Sequence, residues 1–248
     1  MQARIALPVV DLLRSPDGPR DRQLLCGESV EILDALQDWQ HIRATKDGYT
    51  GYLPQTALAP AQHNSHWISA PASHAYCEPD FKSPDLTSLS LGSQVVVSGF
   101  EGRFAKTDQG YIPQVHLTPL GQHLDDPISV ALGFLGTPYL WGGNSRFGID
   151  CSGLVQAACL ACGIPCPGDS GPQERSMGEL LPPGSAYQRG DLLFWKGHVA
   201  LVQDPSTLLH ANAHAMAVAQ EPLEQAIARI ADQGDGPVTA HRRLPQIS

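Results

Sequence analysis

Cysteines occupy positions 26, 77, 151, 159, 162 and 166, and Cys151 has the setting for chemistry. It lies in GIDCSGLVQAACLACG, residues 148–163, directly after an acid and before Ser-Gly. A run that reads as a helix begins there. At a helix start, unpaired backbone N–H groups and the positive end of the helix dipole face the side chain. Both favour the thiolate, which is the nucleophilic form of cysteine. A base must still take the proton and return it to a leaving amine. His198, in FWKGHVALV, follows a Gly and heads a strand-like run; His210 closes TLLH further on. Two antiparallel strands joined by the QDPST turn would set the two rings side by side. His210 then holds His198 in its working tautomer, the part played by the third group of a triad.

Plainer readings compete for the same residues. Cysteine in a helix is most often a small buried apolar residue, and Cys159 and Cys162 are read that way. Cys159, Cys162 and Cys166 have a metal-like spacing, but a zinc site needs about four ligands and no second cluster supplies them, so no metal is expected. His210 and His214 stand four apart, but in a strand-like segment without a neighbouring Glu, which argues against a helical zinc motif. Asp150 and Ser152 also suit simple helix capping.

The elements that would position these residues follow from patterning. In DDPISVALGFLG, Asp126 suits an N-cap, Pro127 the first helical position and Gly136 the stop. TPYLWGGNSRFGID is a Gly-rich loop. CSGLVQAACLACG reads as a helix of about three turns with Leu154, Val155, Ala158 and Cys162 on one stripe and Gly163 as its left-handed cap. From QRGDLLFW onward, short apolar runs between turn residues read as strands. Helices followed by strands give an α+β domain.

Upstream, two segments resemble each other. Each has a Gly before alternating apolar residues, Gly27 before Val30 and Ile32, and Gly92 before Val95 and Val97. Each closes on Gly-Tyr-apolar-Pro-Gln, at 51–55 and 110–114. Period-two alternation broken by turns reads as short antiparallel strands, so two small β-barrels are expected.

Composition sets bounds. The 248 residues are 42% hydrophobic and 17% charged, a normal globular balance. A formal charge of -9 disfavours nucleic acid and anionic lipid as partners. No run approaches the roughly 18 apolar residues of a membrane span, so no membrane insertion is expected. Read from Met1, MQARIALPVVDLLRSPDG has no basic segment before a long apolar core, and a cytoplasmic location with free thiols is the expectation.

Taken together, TPYLWGGNSRFGIDCSGLVQ, QRGDLLFW…GHVALV and LLHANAH resemble the NlpC/P60 cysteine peptidases, with the blocks in that family's order. The segments before them resemble bacterial SH3-type domains. The resemblance implies a papain-like catalytic domain over 122–248, with helices packed on an antiparallel sheet, preceded by SH3-like barrels over 1–60 and 61–121. It implies Cys151 as nucleophile, His198 as base and His210 as orienter. It implies substrate contacts from Tyr49 (with Tyr52 as second choice), Asp150, Ser152 and Ser170. PCPGDSGPQ lacks the Arg that many relatives carry before Asp-Ser, which bears on recognition of a D-glutamyl carboxylate. The implied activity is hydrolysis of the γ-D-glutamyl–diamino acid bond in murein peptides with a free N-terminal L-Ala, during peptide recycling, by a monomer without cofactors. The competing reading is a binding module whose third domain is inert or transfers acyl groups to amines.

Overall fold

A computed structural model describes residues 1–245, which divide into two compact units, 1–123 with 144–147, and 124–143 with 148–245. Each is described by itself.

In the first unit, the alternating segment up to Pro60 forms a seven-stranded antiparallel sheet, from Gln2–Ile5 through Leu58–Pro60. Ile5, Leu12, Val30, Ile42 and Leu53 point one way and are fully buried, the burial expected of one face of a half-wet sheet. Residues 66–119 form a five-stranded and a three-stranded sheet around Ile68, Ala75, Leu89, Val95 and Ile112. The repeated pentapeptide does the same thing twice. A strand ends at Pro54 or Pro113, a 3-10 turn follows over Gln55–Ala57 or Gln114–His116, and a short strand runs to Pro60 or Pro119. Proline fixes φ for the turn and ends the ladder there because it has no N–H to give. Residues 144–147 are tied into this unit: Arg22 donates to Asn144 Oδ1 at 2.6 Å, and the Arg146 N–H donates to Ser90 Oγ at 2.9 Å.

The second unit has helices α1 (Pro127–Leu132), α2 (Cys151–Ala161), α3 (Ser170–Ser176) and α4 (Leu223–Ile230). Its strands are β1 (Glu179–Leu180), β2 (Asp191–Trp195), β3 (His198–Asp204), β4 (Thr207–Asn212), β5 (Ala217–Pro222) and β6 (Ala240–Arg243). They form one sheet in the order β1-β6-β2-β3-β4-β5, with antiparallel neighbours. Helix α2 packs against α1, α3, β3 and β4, and α4 against β4 and β5. Leu193, Trp195, Ala200, Val202 and Leu208 form a core with Leu223, Ala226 and Ile230 of α4.

Local signals account for the helix ends. Asp126 caps α1 by accepting from the Ile128 and Ser129 N–H groups, with Pro127 in the first turn. The helix stops at Leu132 rather than running to Gly136, because the next turn tightens: Phe134 N–H bonds Ala131 O and Leu135 N–H bonds Leu132 O. Gly136 is where the chain swings away, at φ +78, with its N–H on Val218 O. Helix α2 closes as its sequence indicates. Gly163 has φ +73, its N–H bonds Leu160 O, and the Ile164 N–H bonds Cys159 O, which completes a Schellman cap. The expected single apolar stripe is a correction, however. With helices and strands packed around it, α2 is buried on every side, and only Ala157 and Leu160 among its residues are half-buried. All six cysteines are free thiols. Among the described residues, no helix is long and apolar enough to cross a membrane.

Candidate active site

Cys151 is the first residue of α2 and is 7% exposed. The turn before it is held by Asp150, whose carboxylate accepts from the Gly153 N–H at 2.6 Å, the Ser152 hydroxyl at 3.1 Å and the Gly142 N–H at 2.9 Å. One acid thus caps the helix and ties the Gly-rich loop to its start. Gln173 of α3, fully buried, braces the same turn by donating to Ser152 O and Pro167 O, each at 2.9 Å. The effect is a rigid mount for the sulfur, with the N–H groups of the first turn around it.

Tyr139 stands beside this mount. Its backbone is pinned between two segments: its N–H bonds Met216 O, and the Leu140 N–H bonds Ile149 O. Burial pushes the Tyr139 phenol well above its usual range, and the Cys151 sulfur, when ionised, and the Asp150 carboxylate add to the rise. The phenol therefore keeps its proton and remains a hydrogen-bond donor.

The histidines come from the sheet. Trp195 pairs with His198 across the β2–β3 hairpin, and Leu201 pairs with Leu209 across β3–β4. Continuing that register sets His210 opposite Ala200, with His198 two residues along on the same face, a diagonal pair within reach of long side chains. His198 Nε2 lies 2.9 Å from His210 Nδ1. The Trp195 indole packs on His198 with ring centroids 5.7 Å apart. Burial pushes His198 down to about 3, helped by the charges of His210 and Arg229. His210 is also lowered, by burial, against the pull of Glu221. Both rings are therefore neutral near pH 7, and His198 is a proton acceptor at rest.

The second imidazole has an anchor of its own. His210 Nε2 lies 3.1 Å from Glu221 Oε2 on β5. Arg229 of α4 grips that carboxylate with both sides of its fork, Nε to Oε1 and Nη2 to Oε2, each at 2.7 Å.

The sequence-derived residues fall into three sets. His198 and His210 are brought into direct contact, and Cys151 heads a helix packed on the strands that carry them. Asp150 and Ser152 are buried and joined to each other at the helix start, while Ser170 is the first residue of α3. Tyr49 belongs to the first unit. There it packs against the barrel core and lines a cleft of about 490 Å³ with Arg14, Asp21, His41 and Tyr52, the last stacked on His41 at 4.7 Å. Sequence reasoning passed over Tyr139, Gln173, Glu221 and Arg229. The Tyr139 signal was present in TPYLWGG, immediately before the Gly-rich loop. Glu221 and Arg229 carry no local signal, since only strand pairing brings them to His210. Among the described residues, no cluster of His, Cys, Asp or Glu is arranged to hold a metal ion.

Comparison with known proteins identifies the family. Residues 136–230 match the NlpC/P60 family model, and residues 12–58 match that of the bacterial dipeptidyl-peptidase SH3 domain. A γ-D-glutamyl-L-lysine dipeptidyl-peptidase of Bacillus subtilis is 30% identical over 76% of this chain and 71% of its own length. The chain belongs to the NlpC/P60 family of cysteine peptidases. Other members similar to it are a second γ-D-glutamyl-L-lysine dipeptidyl-peptidase, from Bacillus cereus, 29% identical over 82% of this chain and 70% of that protein, and dipeptidyl-peptidase 6 of Lysinibacillus sphaericus, 28% identical over 86% and 88%. The crystal structure of an NlpC/P60 family protein from Bacillus cereus covers 100% of both chains with a TM-score of 0.81 at 21% identity, so the two share a fold. This NlpC/P60 chain thus joins a catalytic domain to an N-terminal SH3-type domain.

Proposed function

We propose that this protein hydrolyses the γ-D-glutamyl–diamino acid bond of short murein peptides, with Cys151 as nucleophile, His198 as base and His210 as its orienter. The observation that carries the reading is the 2.9 Å bond between two neutral imidazoles on strands packed against a helix that begins with cysteine. In the first half-reaction, His198 takes the thiol proton and the sulfur attacks the γ-carbonyl. The backbone N–H groups at the start of α2 and the Tyr139 hydroxyl are suited to bind the oxyanion, because neither needs to reorganise when charge develops. The imidazolium then gives its proton to the departing amine. In the second half-reaction, His198 activates water, and L-Ala-γ-D-Glu leaves.

Two relatives bear the name γ-D-glutamyl-L-lysine dipeptidyl-peptidase, which supports both the bond and the release of a dipeptide. A dipeptide-releasing enzyme must recognise a free amino terminus, and we assign that role to Asp150 with Tyr49, Ser152 and Ser170 as further contacts. An anionic carboxylate is suited to an ammonium group. We also read residues 61–121 as a second SH3-type barrel, on the strength of the repeated strand, 3-10 turn and strand. Free, short wall peptides are the substrates a recycling enzyme meets.

The test is mass spectrometry of digests of L-Ala-γ-D-Glu-meso-diaminopimelate beside its N-acetylated form. The free peptide is expected to yield L-Ala-γ-D-Glu and diaminopimelate, and the acetylated one to stay intact. Equal cleavage of both defeats the amine-recognition assignment. Activity surviving in Cys151→Ala defeats the mechanism.

A further inference from the structure

A pair of neutral imidazoles does not by itself know which way its proton points. Each neutral ring has one N–H and one bare nitrogen, and the His198 Nε2 to His210 Nδ1 bond can be made with either ring as donor. In one arrangement His198 presents a bare Nδ1, able to accept a proton. In the other it presents Nδ1–H and is useless as a base. Something outside the pair must choose.

The structure supplies the choice from the opposite end. On the β4–β5 ladder, His210 pairs with Ala219 and Leu208 with Glu221, so His210 and Glu221 share a face as diagonal neighbours. Glu221 is the penultimate residue of β5, followed by Pro222 and then α4. Helix α4 is clamped to the sheet by Leu223, Ala226 and Ile230, which fixes where Arg229 in its last turn can reach. Arg229 holds both oxygens of Glu221, and its remaining Nη1 bonds Gln233 Oε1 at 2.8 Å. A carboxylate so held is ionised and is an acceptor only. The proton between Glu221 Oε2 and His210 Nε2 must then sit on the histidine. His210, carrying Nε2–H, has a bare Nδ1. His198 must therefore donate from Nε2, and its own Nδ1 is left bare.

We propose that Glu221, clamped by Arg229, is the positioning element that sets the tautomers of both His210 and His198 and so makes His198 a base. The inference rests on the Cys151–His198 reading above. It also gives the imidazolium formed during the reaction an anion one ring away. The groups acting on His198 are His210, Arg229 and Glu221, and those on His210 are Glu221, Arg229 and His214; among these Glu221 is the carboxylate.

The direct test is ¹⁵N NMR of histidine-labelled wild-type protein at pH 7. Both rings are expected as neutral Nε2–H tautomers, and Nδ1–H on either ring overturns the inference. The kinetic test is Glu221→Gln. An amide cannot satisfy Arg229 on both sides, and it can donate to His210 as well as accept, so the tautomers mix. A fall in kcat of about 10- to 100-fold is expected, by analogy with partners that orient metal-bound imidazoles, with KM little changed. Glu221→Asp and Arg229→Lys are expected to give intermediate losses, which keeps the test open if Glu221→Gln does not fold. Unchanged kcat and tautomers in folded variants would show a merely structural pair and overturn the inference. Iodoacetamide labelling separates this from failure of the underlying reading. If wild-type Cys151 labels no faster than exposed Cys77, the nucleophile assignment fails and takes the pair's catalytic sense with it. If Cys151 is reactive and Glu221→Gln leaves kcat intact, only the pair fails.

Discussion

At the residue scale, the site depends on groups whose neutral forms are reinforced by burial. Half-burial, with Cys151 and Asp150 nearby, raises the Tyr139 phenol further above its ordinary value and keeps it a donor. Tyr139→Phe removes that donor and nothing else of similar size. It is expected to lower kcat about 100-fold, as loss of one oxyanion donor does, with KM nearly unchanged in steady-state assays of the murein tripeptide. His198 is neutral for a different reason, the cost of charging a ring enclosed by Trp195, His210 and the sheet. Because its folded value is about 3, ionisation of His198 alone does not set an acid limb of activity near neutrality. The other buried thiols differ again. Cys159 is pushed up by its hydrogen bond with Cys166 and by burial, and Cys162 up to about 12, chiefly by burial. Both are inert fillers of the helix packing.

At the element scale, α2 matters more than any strand, because Cys151 heads it and nearly all of it is buried. Its two ends are fixed by side chains and backbone conformations readable in the sequence. Asp150 caps the start and Gly163 closes the end at φ +73. Gly163→Ala forces a side chain into the left-handed region and is expected to cost about 1 kcal/mol, read as a lower urea midpoint with an unchanged slope. Activity per folded molecule should be retained, since the strain lies at the far end of the helix from Cys151. The β3–β4 hairpin is the other element the site cannot lose. Its turn, around Pro205 and Ser206, sets the register that makes His198 and His210 neighbours. A one-residue slip would send one of the rings to the opposite face.

At the scale of the whole molecule, acid stability should fall in two windows. His198 and His210 have folded pKa values below the unfolded value of about 6.5. The unfolded chain then binds more protons, so stability drops as pH falls from about 6.5 toward 3. Asp191 adds a second loss in the same direction at lower pH. Its burial alone would raise its pKa, but hydrogen bonds from Arg243 and His241 outweigh this and hold it low. Its contribution is present above about pH 4 and is lost below that. Thermal melts between pH 7 and 3 are expected to show the first loss in wild type and a smaller one in His198→Gln. Identical slopes from pH 6.5 to 5 in the two proteins would contradict the assignment. The sequence by itself determined much of this molecule. Short-range chemistry is written locally, so the helix starting at Cys151, its Gly163 stop, the Asp126-Pro127 start, the repeated Gly-Tyr-apolar-Pro-Gln turn and the strand that opens on His198 were all legible. Beyond the His198–His210 hairpin pair, it did not determine the contacts made across strands or between a helix and a sheet. Glu221 and Arg229 look like ordinary surface charges in QEPLEQAIARI, and Tyr139 like part of a loop. Only the pairing of β4 with β5 and the seating of α4 turn that Glu–Arg pair into a proton-directing anchor for His210. That information resides in register and packing, which depend on the whole chain at once.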